Sequence, residues 1–239
     1  MLSVVVPVKN EEDNILPLLE EIHAALEGRA EFEVIYVDDG STDGTADRLK
    51  KAQETFPRLR IVRHMASCGQ SRAIASAVYA ANGDWIVTLD GDGQNDPADI
   101  PKLLERLANG TGTDSLNLVA GIRARRQDTW SKRISSKLAN GIRQWLLKDG
   151  VTDTGCGLKA IRRAAFLRLP YFDHMHRYLP ALIRRDGGAI ETVLVNHRPR
   201  MRGQSNYGFF DRLWVGISDL VGVMWLMRRC KLPTFKSGR

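Results

Sequence analysis

Residues 85–97 read WIVTLDGDGQNDP, an apolar, strand-like run that stops at Asp90 and is followed by a glycine, a second acid, another glycine and Gln94. On an extended chain alternate side chains share a face. Asp90, Asp92 and Gln94 are therefore expected to converge, with Gly91 and Gly93 leaving room for a ligand to approach. Two carboxylates and an amide oxygen are hard ligands that suit Mg²⁺ or Mn²⁺, with water and phosphate oxygens completing the shell. A bound cation would also relieve the repulsion between the neighbouring carboxylates. Taken alone, the same residues fit a capped surface turn equally well, since Gly, Asn, Asp and Pro are the residues of turns. A second apolar run, FEVIYV, likewise ends in acids, Asp38-Asp39 followed by GSTDGT.

The elements that must position these acids follow from periodicity. Apolar β-branched runs at 4–8, 32–39, 59–64, 84–90 and 117–123 alternate with helical patterns near 15–26, 42–56, 69–82 and 97–109. Nearly all-apolar strands separated by helices predict a parallel sheet covered on both faces. In such sheets ligands bind beyond the carboxyl ends of the strands, where both acidic pairs fall. Beyond residue 123 the spacing predicts a basic helix over 129–147, a strand near 156–163, a helix around 174–186, a strand within 189–200 and an apolar helix over 213–227.

Composition narrows the class. Hydrophobic residues at 43% and charged residues at 26% fit a soluble globular chain of one large domain, with or without an appendage. Three widely spaced cysteines form neither a zinc spacing nor a disulfide framework, which favours a reducing compartment. No secretory signal is expected, because Met1 leads straight into SVVVP. Charge is unevenly placed: residues 1–120 hold 11 Lys+Arg against 20 Asp+Glu, whereas residues 121–239 hold 24 against 8. A second half at +16 is expected to meet an anion, whether nucleic acid, phosphorylated ligand or lipid head group. Its basic residues are interleaved with aliphatics rather than stacking aromatics, which argues against single-stranded nucleic acid. The run 213–227 is short of the ~20 apolar residues of a membrane span. With Trp214, Trp225 and arginines at both ends, it reads as an interfacial helix or as a core or dimer-interface helix.

In order and spacing, VVVPVKNEEDNI, VDDGSTDGT, GQSRA and TLDGDGQNDP resemble the family 2 glycosyltransferases over roughly residues 2–210. The stretches GIRARRQDTWSKRISSKLANGIR, VTDTGCGLKAIRR, HRYLPAL and RPRMRGQSNY are similar to the polyprenyl-phosphate group of that family. The resemblance implies a Rossmann-like GT-A fold with a mainly parallel central sheet. It implies a glycosyltransferase domain at 1–206, with a nucleotide and metal half (1–122) and an acceptor half (123–206), followed by an amphipathic segment and basic tail at 207–239. The implied reaction is inverting transfer of a sugar from a nucleotide-diphosphate sugar, UDP favoured, to a polyprenyl phosphate, with Mg²⁺ or Mn²⁺ as cofactor. A GDP-mannose-using mannosyltransferase, and a basic nucleotide- or nucleic-acid-binding protein without transferase activity, stand as alternatives.

Residue by residue, Pro7, Val8, Glu11, Asp39, Gln70, Asp90 and Gly91 match positions lining the nucleotide sugar, and Asp90, Asp92 and Gln94 the metal site. Lys132, Arg133, Ser136, Arg202 and Ser205 match acceptor-phosphate positions, and Asp92, Arg123 and Arg202 are implied to carry the transfer step. Ser67 stands where the family commonly has Asn. The expected setting is the inner face of the cell membrane, peripherally attached, with homo-oligomers possible. His174, His176 and His197 lack a metal-binding spacing and read as surface or satisfied polar groups; Arg184-Arg185 read as a solvated face. Asp153 fits either a turn cap or a sugar contact.

Overall fold

The computed structural model describes residues 1–109, 116–124, 141, 143–199 and 209–231. Seven strands form one sheet in the order β3-β2-β1-β4-β6-β5-β7. They are β1 (Leu2–Val8), β2 (Phe32–Asp38), β3 (Leu59–Arg63), β4 (Trp85–Thr88), β5 (Leu116–Arg123), β6 (Lys159–Arg162) and β7 (Ala189–Val195). The helices are α1 (Ile15–Leu26), α2 (Thr45–Thr55), α3 (Gln70–Ala80), α4 (Ile100–Asn109), α5 (Arg163–Arg168), α6 (Leu179–Arg185) and α7 (Phe209–Arg228). Strands β3, β2, β1 and β4 run parallel, as does β7 against β5, whereas β6 is antiparallel to both its neighbours.

The period-2 alternation of each strand divides the core in two. Val4, Val6 and Val8 of β1 and Val34 and Tyr36 of β2 point to the face covered by α1, α2 and α4. Val5, Ile35, Val37 and Ile86 point to the other face, covered by α3, α5, α6 and the second half of α7. The stripe Ile15, Leu18, Leu19, Ile22 and Leu26 seats α1. Small residues Ala73, Ala75 and Ala77 let α3 lie close to the sheet.

Every predicted helix up to residue 109 is present; α1 keeps its predicted bounds, and α2 and α3 are shorter by one to three residues at each end. The predicted helix over 97–109 opens as a 3₁₀ turn, Pro97–Asp99, in which Asp96 accepts the Ala98 N–H at 3.0 Å. The strand predicted near 156–163 is shorter, and α5 follows it directly. Of the basic helix predicted over 129–147, residues 129–140 lie outside the described residues, and 143–147 are helical. The consequence for function is the reversal of strand order: β1 and β4 are neighbours, while the chain proceeds from β1 outward to β2 and β3. Their carboxyl ends flank the crevice in which open α/β sheets place ligands.

Candidate active site

The end of β4 is a tight turn. Strand pairing stops at Thr88, Gly91–Gly93 reverse the chain and Gly93 takes φ +72°. A Cβ on Gly91 would overlap Val8 and lie 3.0 Å from the Pro7 carbonyl, so glycine is what lets the turn rest against β1. The Asp90 N–H donates to Asn95 Oδ1 (2.9 Å), and the Gln94 N–H donates to Asp92 Oδ1 (3.1 Å). The expected extended alternation therefore ends at Asp92. Asp90, Gly91 and Asp92 line a cavity of about 1000 Å³, and Gln94 is not among the lining residues. Asn95 braces this turn through its bond from the Asp90 N–H, and Asp96 caps the 3₁₀ turn that follows.

Burial and the neighbouring Asp92 charge push the Asp90 carboxyl up to about 6, against the opposing influence of Lys159, Gln70 and Arg123. Gln70 Nε2 donates to Asp90 Oδ1 at 2.8 Å. Two adjacent carboxylates, one of them poorly solvated, form a donor set that a divalent cation fits. Asp39, His64 and Cys68 also bring one ligand atom each within 4.8 Å of one another. The Asp39 oxygens there are already committed to hydrogen bonds.

All seven residues expected to line the nucleotide sugar (Pro7, Val8, Glu11, Asp39, Gln70, Asp90, Gly91) do line the cavity. Asp39 is also engaged within the chain. Its Oδ1 accepts from the Cys68 N–H (2.8 Å) and lies 2.7 Å from His64 Nδ1; its Oδ2 accepts from Ser67 Oγ (2.7 Å) and the Gly69 N–H (2.9 Å). A carboxylate has about four lone-pair sites, and these four groups take them all. Burial would raise the pKa of Asp39, but these hydrogen bonds outweigh it and hold the carboxyl below its ordinary value. Asp39 thus pegs the loop that carries Gln70 to Asp90, and Ser67 is one of its ties. Asp38 is fully buried, accepting the Ser41 N–H at 2.8 Å and pairing with Arg63 at 3.2 Å.

The opposite wall comes from the second half of the chain. Arg123, at the end of β5, forks onto Asp153 with Nε to Oδ2 and Nη2 to Oδ1, both 2.7 Å. The guanidinium that the resemblance implies in the transfer step is thus held at the cavity wall by a buried carboxylate, and both residues line the cavity. Arg143 pairs with the fully buried Asp149 and donates to the Val151 carbonyl. Lys159 donates to the Cys156 carbonyl and is 4% exposed; burial lowers its pKa. His176 Nδ1 lies 2.7 Å from Ser71 Oγ, and burial, followed by the Arg177 charge, pushes the imidazole down to about 3. Tyr178 donates from its hydroxyl to the Gly216 carbonyl (3.2 Å), and Gly216, Ile217 and Leu220 of α7 complete the wall. Arg143, Lys159 and Tyr178 were not anticipated as site residues. The one signal for Lys159 was a charge directly after the apolar Leu158 and before Ala160 and Ile161. Arg184 and Arg185, expected as a solvated face, donate to the carbonyls of Lys148 and Leu226. Lys132, Arg133, Ser136, Arg202 and Ser205 lie outside the described residues.

Residues 3–169 match the model of the family described as glycosyl transferase family 2. The chain is 36% identical over 233 residues to a dodecaprenyl-phosphate galacturonate synthase of Rhizobium johnstonii, covering 95% of this chain and 67% of that protein. It is 34% identical over 236 residues to an undecaprenyl-phosphate 4-deoxy-4-formamido-L-arabinose transferase of Edwardsiella ictaluri, covering 98% and 68%. The chain therefore spans about two thirds of the length of these relatives. Among solved structures it is similar to glucosyl-3-phosphoglycerate synthase from Mycobacterium tuberculosis in complex with Mn²⁺, UDP-glucose and phosphoglyceric acid. The TM-score is 0.71 at 23% identity, covering 98% of this chain and 81% of that one. That likeness is one of fold.

Proposed function

Because the chain belongs to glycosyl transferase family 2 and is a glycosyltransferase of GT-A fold, we propose that it moves a sugar from a nucleotide-diphosphate sugar, UDP favoured, to a polyprenyl phosphate. What carries the reading is the Asp90/Asp92 pair in the wall of a roughly 1000 Å³ cavity, beside Gln70, in a chain whose relatives are named for polyprenyl-phosphate sugars. Those relatives' names, a galacturonate and a formamido-arabinose, favour this over the mannosyl alternative.

Pro7, Val8, Glu11 and the Asp39-pegged loop form the nucleotide wall, and Gln70 orients Asp90. Asp90 and Asp92 would hold Mg²⁺ or Mn²⁺, with Gln94 as a further ligand by resemblance. The cation, when bound, supplies positive charge against the donor diphosphate. An acceptor phosphate oxygen is already anionic near neutral pH, so the chain needs no general base. That oxygen attacks the anomeric carbon in line, the bond to the β-phosphate oxygen breaks, the nucleoside diphosphate leaves with the electron pair, and configuration inverts. The acceptor phosphate falls to Lys132, Arg133, Ser136, Arg202 and Ser205 by resemblance. Arg123, tied to Asp153, acts from the wall as a fixed positive charge beside the reacting groups.

No helix among the described residues is long and apolar enough to cross a membrane. Helix α7 leaves Val221 and Trp225 exposed one turn apart, near Arg228 and Arg229. This stripe suits a membrane surface, which supports peripheral attachment at the inner face; a second copy of the chain is the competing occupant. Under this reading 1–122 serve the donor, 123–206 the acceptor, and 207–239 the membrane.

The test is transfer to undecaprenyl phosphate from a panel of UDP-sugars. A lipid-linked sugar should form, disappear with EDTA and return with Mn²⁺ or Mg²⁺. Asp92→Asn should lower the rate by about 100-fold or more, roughly 2.7 kcal/mol, with unchanged circular dichroism. Full activity of that variant would overturn the metal assignment. Tight metal-independent oligonucleotide binding without transfer or lipid association would overturn the whole reading.

A further inference from the structure

The chain after β7 is tied to the Asp90–Asp92 turn by more contacts than a loop crossing needs. The Arg198 N–H donates to the Gln94 carbonyl at 3.0 Å, and His197 forms an antiparallel bridge with Asn95. The Asn196 N–H donates to Asp99 Oδ2 at 2.5 Å, and its side-chain amide reaches Asp96 Oδ2 at 3.4 Å. The Arg198 guanidinium then bridges two elements, with Nη2 on Asp96 Oδ1 at 2.5 Å and Nη1 on Glu21 Oε2 of α1 at 2.7 Å. Asn95, the residue bridged by His197, is also the one whose Oδ1 receives the Asp90 N–H.

This arrangement answers a physical difficulty. Asp90 and Asp92 repel one another, and Gly91 between them and Gly93 just after them leave the turn pliant, so the free chain has every reason to splay them apart. Something outside the turn must hold the carboxylates together before a cation can. The residues that do so sit about a hundred positions later in the chain, on the far side of the turn from the cavity.

We propose that Arg198 is a positioning residue for the candidate metal site, a clasp that ties the turn following β4 to α1 through Asp96 and Glu21 and so sets the approach of Asp92 to Asp90. The proposal rests on the metal reading given above. Arg198 lies outside the cavity wall and touches no reacting group; it acts through Asp96 and the backbone of Gln94. The Asp96 arm braces the turn itself, whereas the Glu21 arm anchors the clasp to the helix, so the two arms differ in weight.

The test has two arms. Mn²⁺ binding in the presence of UDP is followed by electron paramagnetic resonance, and amide hydrogen exchange is followed over residues 90–99 without metal. Arg198→Met should weaken Mn²⁺ binding by about tenfold or more, the range for residues that orient ligands, and should speed exchange across the turn. Asp96→Asn should reproduce both effects. Arg198→Lys, which keeps the charge but loses the fork, should fall between, and Glu21→Gln should stay within about threefold of wild type. Wild-type Mn²⁺ binding and exchange in both Arg198→Met and Asp96→Asn would overturn the clasp, and the milder Arg198→Lys decides the matter should Arg198→Met fail to fold. No Mn²⁺–UDP binding by the wild-type chain would overturn the metal role itself, while unchanged exchange in the variants would overturn the clasp alone.

Discussion

His176 shows how a single side chain is decided by its surroundings. It sits beside Ser71 and lines the cavity, and burial keeps it neutral down to about pH 3. In the unfolded chain the same imidazole takes up a proton below about pH 6.5. Between those values the unfolded state binds more protons, so the group's contribution to stability is lost as pH falls from about 6.5 towards 3. The slope is at most about 1.4 kcal/mol per pH unit. Urea unfolding of wild type and His176→Gln at a series of pH values from 7 to 4 should show this loss as the difference between the two, since Asp90, raised to about 6, works in the opposite direction in both. Asp39 makes a related point: an acid at a strand end lines the cavity and at the same time pegs a loop of its own chain. Lys159 is the converse, a buried charge that stays close to Asp90 because the pairing of β6 with the end of β4 puts it there.

At the scale of elements, the segment from Asp153 to Lys159 connects the two halves of the site. Gly157 packs so closely under the β4 turn that a Cβ would overlap the Asp90 carboxylate and lie 2.6 Å from Asn95 Oδ1. Gly157→Ala should therefore displace Asp90. We expect a loss of about 1–3 kcal/mol in thermal unfolding, typical of overpacking, together with a fall in transfer activity. At the other end, Asp153 holds the Arg123 guanidinium in place, with side-chain exposures of 8% and 13%. Asp153→Asn leaves that cation without its carboxylate and should cost about 3–5 kcal/mol, as for other broken buried pairs, measured by chemical denaturation. Both changes act on the junction between β4, β5 and β6, where the sheet switches from parallel to antiparallel pairing.

For the whole molecule, the question is what α7 does. Its Val223 is fully buried in the core on one face of the sheet; Gly216 and Leu226 accept hydrogen bonds from Tyr178 and Arg185, and Cys230 donates to the Arg185 carbonyl. The helix is thus part of the fold and of the cavity wall, while its opposite side is apolar and exposed. These two roles predict opposite phenotypes. Val223→Asp should destabilise the protein by several kcal/mol, since it buries an unpaired charge. Val221→Asp and Trp225→Asp, at positions 61% and 58% exposed, should leave the unfolding midpoint within a degree or two. They should nevertheless reduce co-sedimentation with anionic vesicles. Retained sedimentation with a changed oligomeric state would assign the stripe to a second copy instead.

By itself the sequence determined whatever depends on local period and on residue type at a strand end. That includes the alternation of β1 to β4 with α1 to α4, the two faces of the sheet, and the acids of two strands on one edge. The arrangement is local because strand and helix periods are short, and because a parallel βαβ unit leaves its carboxyl ends on the same side. Tertiary structure alone decided how those groups are spent. It made Asp39 a loop peg and gave Arg123 to Asp153, thirty residues apart. It turned β6 against its neighbours and carried Lys159 under Asp90, and it brought Arg198 back to clasp a turn about a hundred residues earlier. Those outcomes depend on register and on which charges are desolvated together. Neither is written in any window of the chain short enough to have a period.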